Sequence, residues 1–153
     1  MRFGMFDTVR WHQDVSAEKT LTDILDQIEF ADKQGIQDIW IGEHHFSRHG
    51  ILSGIFSFMG NVAARTKQAR IGTSIVILPF HNPVQVAEEA ATLDIMSNGR
   101  FNLGVGVGYQ AQEFHGMGVD IKQSREIFKE HLDVVMKCWE DGSLTYKGDY
   151  VDI

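Results

Sequence analysis

Short apolar runs alternate along this chain with longer stretches in which apolar residues recur at helical spacing. Arg2–Phe6 reads as a short strand. Ser16 then stands as an N-cap before the stripe Leu21, Ile24, Leu25, Ile28 and Ala31, which has the period of a helix, and Gly35 closes it. Ile39–Ile41 makes a second strand, ending in the polar cluster Glu43-His44-His45. A helix is expected over Ile55–Thr66 and a third strand over Ile71–Leu78. Asn82-Pro83-Val84-Gln85 is a helix start, with Asn at the N-cap, Pro at N1 and Gln at N3. That helix runs to about Ser97 and closes on Asn98-Gly99. Phe101–Val107 is the fourth strand. A loop then leads to a helix over Ser124–Glu140 with Phe128, Leu132, Val135 and Trp139 on one face and Gly142 as its stop. Leu144–Ile153 reads as a hairpin turning at Lys147-Gly148-Asp149.

Four β-then-α units in succession predict an α/β fold with parallel strands and right-handed crossovers. A doubly wound sheet and a closed barrel both accept that order. A full eight-stranded barrel takes about 250 residues, so a chain of 153 residues holds only half of one. The end at Tyr150-Val151-Asp152-Ile153, without a polar tail, reads as an interrupted protein.

Composition narrows the classes. The chain is 43% hydrophobic with a net charge of −7, a balance that repels a nucleic-acid backbone. No apolar run approaches the roughly 20 residues of a spanning helix, and the N-terminus lacks the features of a signal peptide. The expectation is a cytoplasmic protein that binds neither nucleic acid nor membrane. The single cysteine, Cys138, excludes an internal disulfide and suits a reducing compartment.

In parallel β/α proteins ligands bind beyond the carboxyl ends of the strands. After the second strand stand Glu43, His44 and His45, a carboxylate and two imidazoles suited to proton transfer near neutral pH. Adjacent residues on an extended chain face opposite ways, so one histidine is expected to be functional and the other structural. His45 and His49 are spaced as a helical metal pair, yet no HExxH or paired-cysteine motif accompanies them, and no metal is expected. The run Gly104-Val105-Gly106-Val107-Gly108-Tyr109 is near a dinucleotide fingerprint but has Tyr109 where the third glycine belongs, and no helix is expected directly after it. Its glycines serve either close packing or the approach of a flat ring. The third strand, Gly72 to Pro79, offers small and apolar groups that suit an aromatic ring system. Arg100, at the start of the fourth strand, is expected to be structural.

Together these segments resemble the luciferase-like flavin-dependent monooxygenases. The resemblance is carried by Glu43-His44-His45-Phe46, Leu78-Pro79 with His81-Asn82-Pro83, Ala87-Glu88, Asp94, and Ser97-x-Gly99-Arg100-Phe101, then Gly104-x-Gly106-x-Gly108-Tyr109, Glu113-Phe114 and Gly116-x-Gly118, over about residues 1–150. It implies a (βα)8 TIM-type barrel of which residues 1–153 are the N-terminal part, the C-terminal half being missing. It also implies a monooxygenase in which reduced FMN, or a deazaflavin in some branches, meets O2 and one oxygen passes to a small organic substrate such as an aldehyde. By position, His44 would be the acid/base or hydrogen-bonding group beside the flavin. Glu43 would line the flavin site, Ser74 and Ile75 would contact the ring through a non-prolyl cis peptide, and Gly106 and Val107 would flank it. Some members carry arginine at position 107 to meet the flavin phosphate, which Val107 cannot do. A flavin reductase is the implied partner, and a homodimer through helices 55–66 and 83–97 is expected. The small residues Gly60, Ala63, Ala64, Ala87, Ala90 and Ala91 favour that contact, with Glu88 expected to pair with His45 across or beside that interface. A non-catalytic flavin-binding module, and a fragment inactive alone, are the competing expectations.

Overall fold

The computed structural model describes residues 1–140 and 143–153. Strands β1 (Gly4–Asp7), β2 (Asp38–Ile41), β3 (Arg70–Thr73) and β5 (Phe101–Asn102) form a parallel sheet in the order β1-β2-β3-β5. Between them run α1 (Ala17–Lys33), α2 (Ile55–Arg65) and α3 (Pro83–Met96). The register aligns Met5, Ile39, Ile71 and Phe101 across the sheet, and the last three are buried in the core with Ile24, Ile28, Met59, Val62 and Val86. Phe6, Trp40, Gly72 and Asn102 align on the opposite face. Among the described residues no helix covers that face, and Phe6 is 58% exposed.

The helix ends follow their sequence signals. Ser16 caps α1 by accepting from Lys19 N–H at 3.1 Å, and Gly35 follows in the left-handed region at φ 84°. Asn82 caps α3 through Val84 and Gln85. Asn98 and Gly99 close it, both at positive φ, a conformation these two residues adopt at least cost.

Four expectations are corrected. The run Ile71–Leu78 is not one strand: β3 stops at Thr73 and β4 (Val76–Ile77) joins a second sheet before a 3-10 turn at Leu78–Phe80, with the Ser74–Ile75 peptide between them cis, as the family resemblance implies. The fourth strand is divided the same way, β5 staying in the first sheet while β6 (Val105–Gly106) pairs with β4. The segment read as a loop holds a helix, α4 (Ala111–Met117), which begins soon after Tyr109 and buries Glu113 and Phe114 on the strand ends. The terminal hairpin turns one residue later, with Lys147 opposite Asp152, and Gly148 N–H bonded to Val151 O. The last helix, α5, spans Ser124–Cys138; its proposed stop at Gly142 lies outside the described residues.

At the amino ends of the strands a buried aspartate and a half-buried arginine fasten the layers through main-chain groups. Asp32, at the end of α1, accepts from Lys67, Gln68 and Ala69 N–H at 2.8, 3.0 and 2.7 Å. Arg100 donates to Thr66 Oγ1 and to the carbonyls of Ser97, Ala69, Ala63 and Thr66. It is structural, as expected from its place. Of the small residues on α2 and α3, Ala63, Ala87 and Ala90 are buried in the chain's own core, which corrects their assignment to an intermolecular face. No helix among the described residues is long and apolar enough to cross a membrane.

Candidate functional site

At the opposite ends of the strands the chain closes on a cavity of about 370 Å3 whose lining includes Phe6, Glu43, His44, Ser74, Ile75 and Val107. The switch from the first sheet to the second produces it. Because the chain turns at Ser74–Ile75, those two residues face the cavity instead of continuing a strand. Gly106 is not part of the lining. It stands behind Ile75, whose side chain a Cβ at 106 would overlap, so close packing accounts for this glycine. Gly108 adopts φ 80° and borders the cavity itself.

The two histidines part company here. His44 lines the cavity, while His45 turns to Glu43 and to the edge of Phe80, ring centroids 5.8 Å apart. Glu43 is 2% exposed. Its Oε1 lies 2.7 Å from His45 Nε2 and 2.7 Å from His81 Nε2, and its Oε2 accepts from Ile77 N–H at 2.7 Å. Burial pushes this carboxyl up, but the bonds from His45 and His81, the charge of His81 and the Ile77 amide outweigh it and hold the pKa at about 2. An ionised carboxylate only accepts hydrogen bonds, so both histidines carry their proton on Nε2. Within the chain His45 Nε2 is engaged by Glu43.

His44 is oriented from its other ring nitrogen. Glu113, 1% exposed, sets Oε1 3.0 Å from His44 Nδ1 and accepts from His45 N–H with the same atom at 2.9 Å. The Gln110 amide lies 3.1 Å from Nδ1. With Nδ1–H turned to Glu113, Nε2 is the nitrogen left to accept or donate a proton toward a ligand. A carboxylate behind a histidine fixes both its tautomer and its plane.

Glu113, Gln110 and His81 were not among the site residues inferred from sequence. They reach the cluster from 69, 66 and 38 positions away. The only local signals were the Glu113-Phe114 pair and His81 beside the Asn82-Pro83 helix start. Among the described residues no group of three or more His, Cys, Asp or Glu is arranged to hold a metal ion. No lysine or arginine lines the cavity. Its walls fit a flat, largely apolar ring, and a phosphate attached to that ring finds no cation in this recess.

A family model described as luciferase-like monooxygenase matches residues 1–153. The chain belongs to this family. Among luciferase-like relatives, the oxygenase component of a flavin-dependent trigonelline monooxygenase from Acinetobacter baylyi is 33% identical over 153 residues, covering 98% of this chain and 41% of that protein. An F420-dependent glucose-6-phosphate dehydrogenase from Amycolatopsis mediterranei is 31% identical over 138 residues, covering 86% and 41%. In fold, the chain superposes with a TM-score of 0.94 and 23% identity on the oxygenating constituent of 3,6-diketocamphane monooxygenase from Pseudomonas putida, a structure in complex with FMN, over 100% of this chain and 43% of that one. The chain thus spans about two fifths of the length of these relatives.

Proposed function

We propose that residues 1–153 are the N-terminal part of one (βα)8 barrel domain, and that the protein is a flavin-dependent monooxygenase using reduced FMN and O2 to oxygenate a small organic substrate such as an aldehyde. The observation that carries this reading is the meeting of His44, the Ser74–Ile75 cis peptide and Val107 in one cavity at the strands' carboxyl ends. The partly uncovered sheet face holding Phe6 and Trp40 supports the half barrel, since a closed barrel fills that side with its own side chains.

When bound, the reduced flavin supplies the electrons with which oxygen is activated. The chain's residues do the rest. Ile75 and Val107 would hold the ring, with Ser74 and Glu43 lining the same cavity. The apolar walls exclude water, which strengthens every polar contact inside. His44 holds or moves a proton at Nε2, and Glu113 keeps that nitrogen aimed. A cation for the ring's phosphate would have to come from outside this cavity, whose described lining holds no lysine or arginine.

A flavin reductase delivers the reduced cofactor, and a homodimer forms through helices 55–66 and 83–97, where Phe56, Gly60, Glu88 and Met96 border a recess between α2 and α3. The lone Cys138, whose thiol burial and the charge of Glu88 push up, suits a reducing cytoplasm. A deazaflavin is the second reading, on kinship with the F420-dependent dehydrogenase.

Fluorescence titration with FMN and with deazaflavin tests binding, and oxygen consumption with NADH and a flavin reductase tests turnover. Micromolar FMN binding with substrate-dependent oxygen uptake is expected. FMN binding without uptake would make the chain a carrier module, and failure to bind either cofactor would remove the flavin function from this chain.

A further inference from the structure

His44 also borders a second recess, of about 340 Å3, where the loop after β1 meets the loop after β2. Backbone bonds join these loops: Trp11 N–H donates to Arg48 O and Ile51 N–H to Val9 O, both at 3.0 Å. They set Arg48 on Trp11, the guanidinium carbon 4.0 Å from the indole centroid. The indole is itself fixed, its Nε1–H donating to Val15 O at 2.7 Å. Arg48 makes one side-chain hydrogen bond, to His12 O at 3.5 Å. Among the described residues it has no carboxylate within ion-pair distance, although the chain carries 21 acidic residues.

A guanidinium stacked on an aromatic face is held in plane, with its edge donors available, and that edge matches a carboxylate in two parallel hydrogen bonds. Phe46 and Ile51 give the recess its apolar wall, and Ser47 and Ser53 add hydroxyls. The volume lies in the range of small-molecule sites, roughly 300–1,000 Å3.

We propose that this recess is the substrate's side of the site and takes a small, flat organic acid. Its carboxylate sits on Arg48 and its unsaturated body lies against Phe46 and Ile51. His44 stands between the acid and the cofactor cavity. The word "substrate" rests on the flavin reading above; the acid-binding site does not.

The test is titration of the 153-residue chain with benzoate, with benzamide as its uncharged counterpart and with inorganic phosphate, following the Trp11 indole N–H resonance assigned from Trp11→Phe. Benzoate is expected to saturate and shift that resonance, with benzamide at least tenfold weaker and phosphate without saturation over the same range. Arg48→Gln should weaken benzoate tenfold or more, Arg48→Lys by less, and neither should alter FMN affinity. Equal binding of benzamide, an unchanged affinity in Arg48→Gln, or no benzoate binding to a chain with a folded spectrum would overturn the proposal. Phosphate binding as well as benzoate would overturn the flat organic body. FMN binding without benzoate binding defeats this inference alone, whereas benzoate binding without FMN binding defeats the flavin reading and leaves the acid site standing.

Discussion

At the amino ends of the strands, Asp32 and Arg100 are answered almost wholly by main-chain groups, whereas at the carboxyl ends Glu43 and Glu113 are answered chiefly by histidines. Both ends bury charge, and every buried side-chain nitrogen and oxygen among the described residues has a partner. The difference lies in what the partners can do. A carbonyl or amide cannot change its charge, so the Asp32 and Arg100 contacts are fixed over the whole pH range in which the carboxylate is ionised. An imidazole can donate or accept at either ring nitrogen, so the Glu43 and Glu113 contacts belong to groups able to pass a proton. One end holds the layers in place, and the other holds the cluster to which the proposed chemistry is assigned.

That contrast can be broken most forcefully at Asp32. Asp32→Ala strands three amide donors and should destabilise the fold by about 3–5 kcal/mol, read from urea unfolding. A loss below about 1 kcal/mol would show that the amino end is not the clamp described. Glu43→Gln should cost about 3 kcal/mol at neutral pH, from a carboxyl held at about 2 against an ordinary 4.5. The sign follows from the lowered pKa. This stability is fully present above about 4.5 and is lost as pH falls toward about 2. The stability gap between Glu43→Gln and the native chain should therefore be flat above pH 4.5 and close below it, and a gap that persists to pH 2 would contradict the histidine-bound carboxylate.

His44→Ala should lower oxygenation by about 10²-fold or more and, by removing one of the two groups on the buried Glu113 carboxylate, cost about 1–3 kcal/mol of stability. Glu113→Gln, acting through His44, should cost less and move the pH profile of turnover, which a purely structural residue would not do. Smallest of all, Lys19→Ala removes an exposed pair with Asp23 at 2.8 Å and should change stability by no more than about 0.5 kcal/mol.

Much of the scaffold was readable from local signals. Ser16, Asn82 and the Asn98-Gly99 pair marked helix ends because capping and left-handed turns depend on a few adjacent atoms. The break at Ser74–Ile75 was not readable from periodicity, since Ile71–Leu78 is a continuous apolar run and only the pull of a second sheet divides it. Helix α4 was missed because its seven residues hold one buried apolar side chain, Phe114, too little for a helical period to register. At the site, His44 and Glu43 were found through their place after a strand and through family resemblance. Glu113 and His81 were not, because a partner 38 to 69 positions away leaves no spacing to read. The geometry adds them as the groups that orient what the sequence had named.

The shared oxygen of Glu43 has a further consequence for how this corner can vary. Oε1 serves His45 and His81 together, and Oε2 serves the amide that begins the Leu78–Phe80 turn. A change at any one of these positions alters the conditions under which the others are tolerated, so their mutational effects should be strongly non-additive. Drift through single replacements is closed to such a set. A variant of this corner would have to arrive as a coordinated group, and single-site libraries built here would report it as intolerant even where a different triplet would serve.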